Sequence, residues 1–438
     1  MSSPVFPEVR IPALDDVVLP EMMRVRLPQP KGSPIADLDN AIAQALAGAG
    51  KLNALSPGAR VAVGVGSRGL THLPTLVAGV VGYLKKRRFE PFIVPAMGSH
   101  GGATAPGQAG VLERLGVSEA TVGAPVRATM ETVEFGTTSQ GIPCVLDANA
   151  AVADGIVIIS RVKSHTSFDR PIESGLVKMV AVGLGKDRGA NFVHRLGPPI
   201  GLGEVLPEIG RVLLEKAPMA CGLAVVENAH HDIVTVEAVE PEDFHAADER
   251  LLTFAKSLLA RLPFAQIDAM VVEYLGKEIS GAGMDYAVTG RTDIRGVANP
   301  PQPFIHKVGI LGCTAESHGN AMGIGMADYM PRSLANELDL EAMYMNAVVA
   351  TIGEKARIPI VLKDERDVIR ACAFSCWAME PAQARFCIIR STMHLNEILV
   401  SRPLFADIAD TPGVDVLSDP APLEFTDEGV LLTRCPNA

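Results

Sequence analysis

Lys178 stands among small and apolar neighbours in IESGLVKMVAVGLGKDRGANFVH, residues 172–194. An amine in such a run either snorkels to water or is held against a group that needs it. Unpaired burial is costly, and desolvation makes a lysine nucleophilic. The segment therefore reads as a nucleophilic or cofactor-anchoring Lys178, or as a snorkelling one. His194 follows sixteen residues later and by itself says little. Two other histidines lie in loops, His100 in GSHGG and His165 in RVKSHTSF. Flanking glycines leave the first ring accessible, and an imidazole near its own pKa suits proton transfer at neutral pH. Arg161 and Lys163 precede His165 and read either as anion-holding groups or as a solvated face. GVGSRG, residues 64–69, matches G-x-G-x-x-G between a predicted strand and a predicted helix. Such a turn offers backbone N–H groups to a phosphate. The acidic residue that would end the second strand of an NAD domain is absent, because that strand ends VPAMG. The turn reads equally as a tight strand-to-helix connection. Arg68, on that turn, has the fork geometry to hold a carboxylate or phosphate.

Short apolar runs must position these groups. RVAVGVG, PFIVPA, GIVIIS, CGLAVVEN and DIVTVEAV read as strands, with helical patterns in TLVAGVVGYLKKRRF and PGQAGVLERLG. A second alternating pattern opens at IDAMVVEYLG and continues through KVGILGCTAESHGNAMGIGMADY. The fold class expected is α/β, as two α/β domains with the active site in the cleft between them. The boundary is placed at ARLPF, giving a domain of residues 1–262 and another of 263–438 whose last segment packs back on the first. Ser67, Arg68, His100, Arg161, Lys163, His165, Lys277 and His318 all follow strand C-termini, the edge where open α/β sheets bind ligands.

Composition excludes several classes. A net charge of −11 argues against a polyanionic partner such as nucleic acid. No apolar run approaches the roughly 18 residues of a membrane span, and the N-terminus lacks the pattern of a secretory signal. Seven scattered cysteines fit reduced thiols and a cytoplasmic setting.

Taken together, the loops resemble those of the lactate racemase family, whose members use a nickel-pincer nucleotide. The resemblance spans most of the chain and rests on motifs. GSHGG matches the family's glycine-flanked histidine loop, and His165 matches its second loop histidine. ESGLVK matches S-G-x-x-K, whose lysine is joined to the cofactor; His194 keeps the spacing of the nickel-coordinating histidine. GKEISGAGMD supplies Lys277 as the lysine contributed by the second domain. The family's first loop, D-x-T-R-P-x-P, is replaced by GSRGLTHLP, with Arg68 as candidate for the arginine's role and Thr71 and His72 as rivals. SGLVKM stands for the family's S-G-G-R-K-S, and His165 lies thirteen residues ahead of Lys178, more than in the lactate enzyme.

The resemblance implies that Gly66, Ser67, Ser174 and Lys178 hold a pyridinium mononucleotide with thioamide and thiocarboxylate arms. His194 would complete a planar nickel site with two sulfurs and a ring carbon, a donor set suited to nickel(II). The activity implied is racemisation or epimerisation of a 2-hydroxy acid by reversible hydride transfer. His100 and His165 would serve as acid and base on opposite sides, and Arg68 and Lys277 would hold the substrate. Such a chain depends on the enzymes that make its cofactor. Two other classes fit the same residues: a nickel-free enzyme forming a Schiff base on Lys178, and a non-catalytic carrier of the nucleotide.

Overall fold

The structure is a computed structural model describing residues 5–30, 32–67, 70–164, 170–200 and 202–436, without the side chains of 194–200, 202 and 203. The fold is α/β. Its described residues form two compact units, one within residues 30–259, the other joining the first 29 residues to 260–438.

The N-terminal strand β1 (Met22–Arg26) belongs to the second of these units. The other unit holds β2 (Arg60–Val65), β3 (Glu90–Pro95), the hairpin β4 (Thr132–Thr137) and β5 (Pro143–Asp147), then β6 (Gly155–Arg161), β7 (Met219–Glu227) and β8 (Ile233–Val239). Five of them form a sheet in the order β3-β2-β6-β7-β8. It is parallel except for β8.

Alternation along β2 shows why these runs are continuously apolar. Val61, Val63 and Val65 pack on one face with the helix Leu73–Lys86, through Leu76, Val77, Val80 and Leu84. Ala62 faces the other layer, built by Leu176, Val180, Leu213 and Leu251 from later helices. A parallel sheet covered on both faces leaves no polar face to water.

The second unit carries an eight-stranded sheet. Its remaining strands are β9 (Gln266–Leu275), β10 (Phe304–Cys313), β11 (Tyr329–Pro331), β12 (Ile360–Leu362), β13 (Phe386–Ile389), β14 (Glu397–Ser401) and β15 (Asp415–Val416). The order is β12-β11-β10-β9-β13-β14-β1-β15. β9 to β13 run parallel, whereas β14, β1 and β15 add on antiparallel.

The expected first domain of 1–262 differs from these units at its start. β1 pairs with β14 from Met22↔Ser401 to Arg26↔Glu397, so the N-terminal residues join the later sheet. The last segment likewise pairs within that unit, through β15 on β1. The sequence break itself falls at Leu259/Ala260, close to the expected ARLPF. Among the described residues no helix is long and apolar enough to cross a membrane.

Candidate functional site

β2, β3 and β6 are parallel, so the loops after Val65, Pro95 and Arg161 emerge at one edge of the five-stranded sheet. Three of the expected groups come together there. The Ser67 hydroxyl, one residue beyond Gly66, hydrogen-bonds Nδ1 of His100 across the two loops. His100 is exposed.

The Lys178 segment lies against the same edge. A short helix, Leu176–Lys178, runs directly into a π-helical turn, Met179–Gly183, of the kind often found at functional places. Gly183 O accepts from Gly98 N at 3.0 Å, which joins this turn to the His100 loop. A Cβ on Gly66 would come within 3.2 Å of Met179 Cε, so glycine there allows the turn's close approach. Lys178, one residue earlier, is half-buried. The loop after β6 joins through Lys163 N, which donates to Ser174 O at 2.9 Å. Gly66, Ser67, His100, Ser174 and Lys178 thus belong to one cluster of loops and turns.

An acid missed in the sequence places the lysine helix. Asp248, on the helix Phe244–Ser257, is buried and accepts from Leu176 N at 2.9 Å and Val177 N at 2.8 Å. It caps from a distance of 72 residues in sequence, where a helix of three residues has no cap of its own. A Cβ on Gly175 would lie 2.3 Å from Asp248 Oδ1, so only glycine admits the carboxylate. Burial pushes the Asp248 carboxyl up to about 6, against the pull of the two N–H groups.

The native pKa therefore exceeds the unfolded value near 3.9, and the folded state binds the extra proton. This contribution to stability is full below about pH 4 and is lost as pH rises through 6. We expect wild type to lose about 2–3 kcal/mol relative to Asp248→Asn between pH 4 and 7, read from urea unfolding. Parallel pH profiles would refute this placement of the proton.

One expectation is corrected. Arg161 does not stand ready for an anion, because its guanidinium pairs with Glu227. Glu227 Oε1 also accepts from Thr71 N at 2.6 Å, just before the helix Leu73–Lys86. Burial alone would raise the Glu227 carboxyl, but His231, Arg161 and the Thr71 N–H outweigh it and bring it down to about 2. The fully buried amine of the segment is that of Lys186.

Arg68 and His165 lie outside the described residues. His194 lies on the helix Lys186–Ile200, its side chain outside the description. Lys277 belongs to the second unit, on the loop after β9. There its backbone N–H donates to Ser317 Oγ at 2.9 Å, and its amine bonds the Asn346 side-chain oxygen. Among the described residues no group of three His, Cys, Asp or Glu side chains stands ready to hold a metal.

No family model matches the sequence, and no curated protein matches it. Seven chains of solved structures match. One is the lactate racemase apoprotein from Thermoanaerobacterium thermosaccharolyticum, at 12% identity and a TM-score of 0.43, over 84% of this chain and 88% of that chain.

Proposed function

We propose that this chain is a racemase or epimerase of a 2-hydroxy acid that works with a nickel-pincer nucleotide. The observation that carries the reading is the Ser67–His100 hydrogen bond beside the Lys178 turn. A racemase must take and return a proton at one substrate oxygen, so its imidazole needs a partner that suits both protonation states. A hydroxyl oxygen does this, because it accepts from Nδ1–H both when Nε2 is free to act as the base and when Nε2 carries the proton in the imidazolium. A carboxylate in its place would favour the charged ring.

The residues present fit the group. A half-buried amine at the sheet edge, with a glycine opposite the turn that carries it, suits attachment through Lys178 Nζ. A metal that takes two sulfurs and a carbon from its own ligand asks one imidazole of the chain, and His194 is that residue by motif. When bound, the group supplies a hydride acceptor for the hydrogen at the substrate's Cα. The chain does the rest. His100 moves the hydroxyl proton, His165 does so for the opposite enantiomer, and Arg68 and Lys277 hold the carboxylate and polarise the reacting oxygen. Lys178 fixes the cofactor against the edge.

The chain made together with the cofactor-forming enzymes should show a mass increment mapped to Lys178 and one nickel per chain. It should also interconvert the enantiomers of at least one 2-hydroxy acid in a panel of aliphatic, aromatic and sugar acids. An unmodified Lys178 in an active enzyme overturns the cofactor assignment. A loaded enzyme inert across the panel overturns the reaction.

A further inference from the structure

We propose that Gln108, oriented by Lys186, is a positioning residue that holds His100 in its bond with Ser67. This rests on the reading of His100 as the proton-transfer group. Gln108 is fully buried on the helix Ala105–Arg114, the element that follows the His100 loop. Its Nε2 donates to Gly98 O at 2.7 Å and to His100 O at 3.2 Å. Its Oε1 accepts from Lys186 Nζ at 3.0 Å. Lys186 is itself fully buried; its amine also bonds Pro95 O, at the end of β3, and meets Asp147 Oδ2 at 2.9 Å.

The chemistry permits one orientation of this carboxamide. Turning it over would set an oxygen against two carbonyl oxygens and an NH2 against an ammonium. The ammonium therefore fixes the amide, and the amide fixes the loop. Gly98 and His100 are clamped through their carbonyls, while Gly98 N is held from the other side by Gly183 O. His100 gains from such restraint because its ring is exposed and Ser67, which bonds its Nδ1, comes from a different loop.

An apolar side chain would fill the space under this loop without burying a charge. What the network adds is direction. It ends on the backbone of the one exposed histidine of this loop, and on the strand end from which the loop departs.

The test uses the full chain without cofactor, labelled with 15N-histidine, so turnover is not needed. The His100 ring nitrogens are assigned by comparison with His100→Gln, and the shift pattern of a lost Ser67 bond is taken from Ser67→Ala. Gln108→Met should move the His100 nitrogens to the Ser67→Ala pattern while the other histidines keep their shifts. Gln108→Glu keeps the shape and the acceptor for Lys186 but loses both donors, so it should give the same shift and carries the test if the methionine variant does not fold. Wild-type His100 shifts in a folded Gln108 variant overturn the proposal, whatever its melting temperature. If the shifts move but the loaded enzyme isomerises nothing, the positioning stands and the function proposed for His100 falls.

Discussion

Replacing His100 with alanine should lower isomerisation in both directions by about 10²–10⁴-fold, the usual contribution of a positioned acid–base group. Both directions fall because the same substrate oxygen must lose and regain its proton in each complete turnover. The ring is exposed and lies in a loop, so its removal leaves no core cavity; stability should change by no more than about 0.5 kcal/mol. Cofactor loading should persist, since the helix that carries Lys178 is held by Asp248 through Leu176 N and Val177 N and continues into the turn at Gly183, neither of which depends on the imidazole. Enantiomer ratios followed from each pure isomer, beside intact mass and nickel content, measure all of this. Full activity from either isomer removes His100 from the scheme. Lost activity with lost loading would make it a cofactor ligand instead.

Much of this was legible in the chain because parallel strands covered on both faces must read as apolar runs. β2, β3 and β6 begin and end within a residue or so of RVAVGVG, PFIVPA and GIVIIS. Their C-terminal loops then follow from topology alone, which is why Ser67 and His100 were visible. The groups that support them were not. Asp147 reads as an ordinary helix cap, accepting from Asn149 N and Ala150 N, until a lysine 39 positions later is seen against its other oxygen. Gln108 reads as a polar residue of a helix, and Asp248 as one charge among several in FHAADERLL. Each acquires its role from a partner distant in sequence, and periodicity carries no such information. β1 is the same case at the level of the fold, since its partner β14 lies at the far end of the chain.

Lys186→Met should destabilise the chain by about 3–5 kcal/mol, the range expected when one member of a buried ion pair is removed. Both side chains of the pair are fully buried. Desolvation lowers the Lys186 pKa while the Asp147 carboxylate supports its charge. Methionine fills much the same volume, so the loss arises from Asp147 left facing an apolar side chain, not from a cavity. It also arises from Pro95 O and Gln108 Oε1, which lose their donor. Adding Asp147→Asn should recover a large part of the loss. The amide keeps an oxygen for Asn149 N and Ala150 N while removing the uncompensated charge. Urea unfolding of the two single variants and the double at one pH gives the coupling directly. Additive losses would mean that the two charges do not sense each other in the folded chain. A double variant more stable than Lys186→Met alone would show that the buried charge is the chief penalty, and that the ammonium is kept in the core by Asp147 and turned towards Gln108.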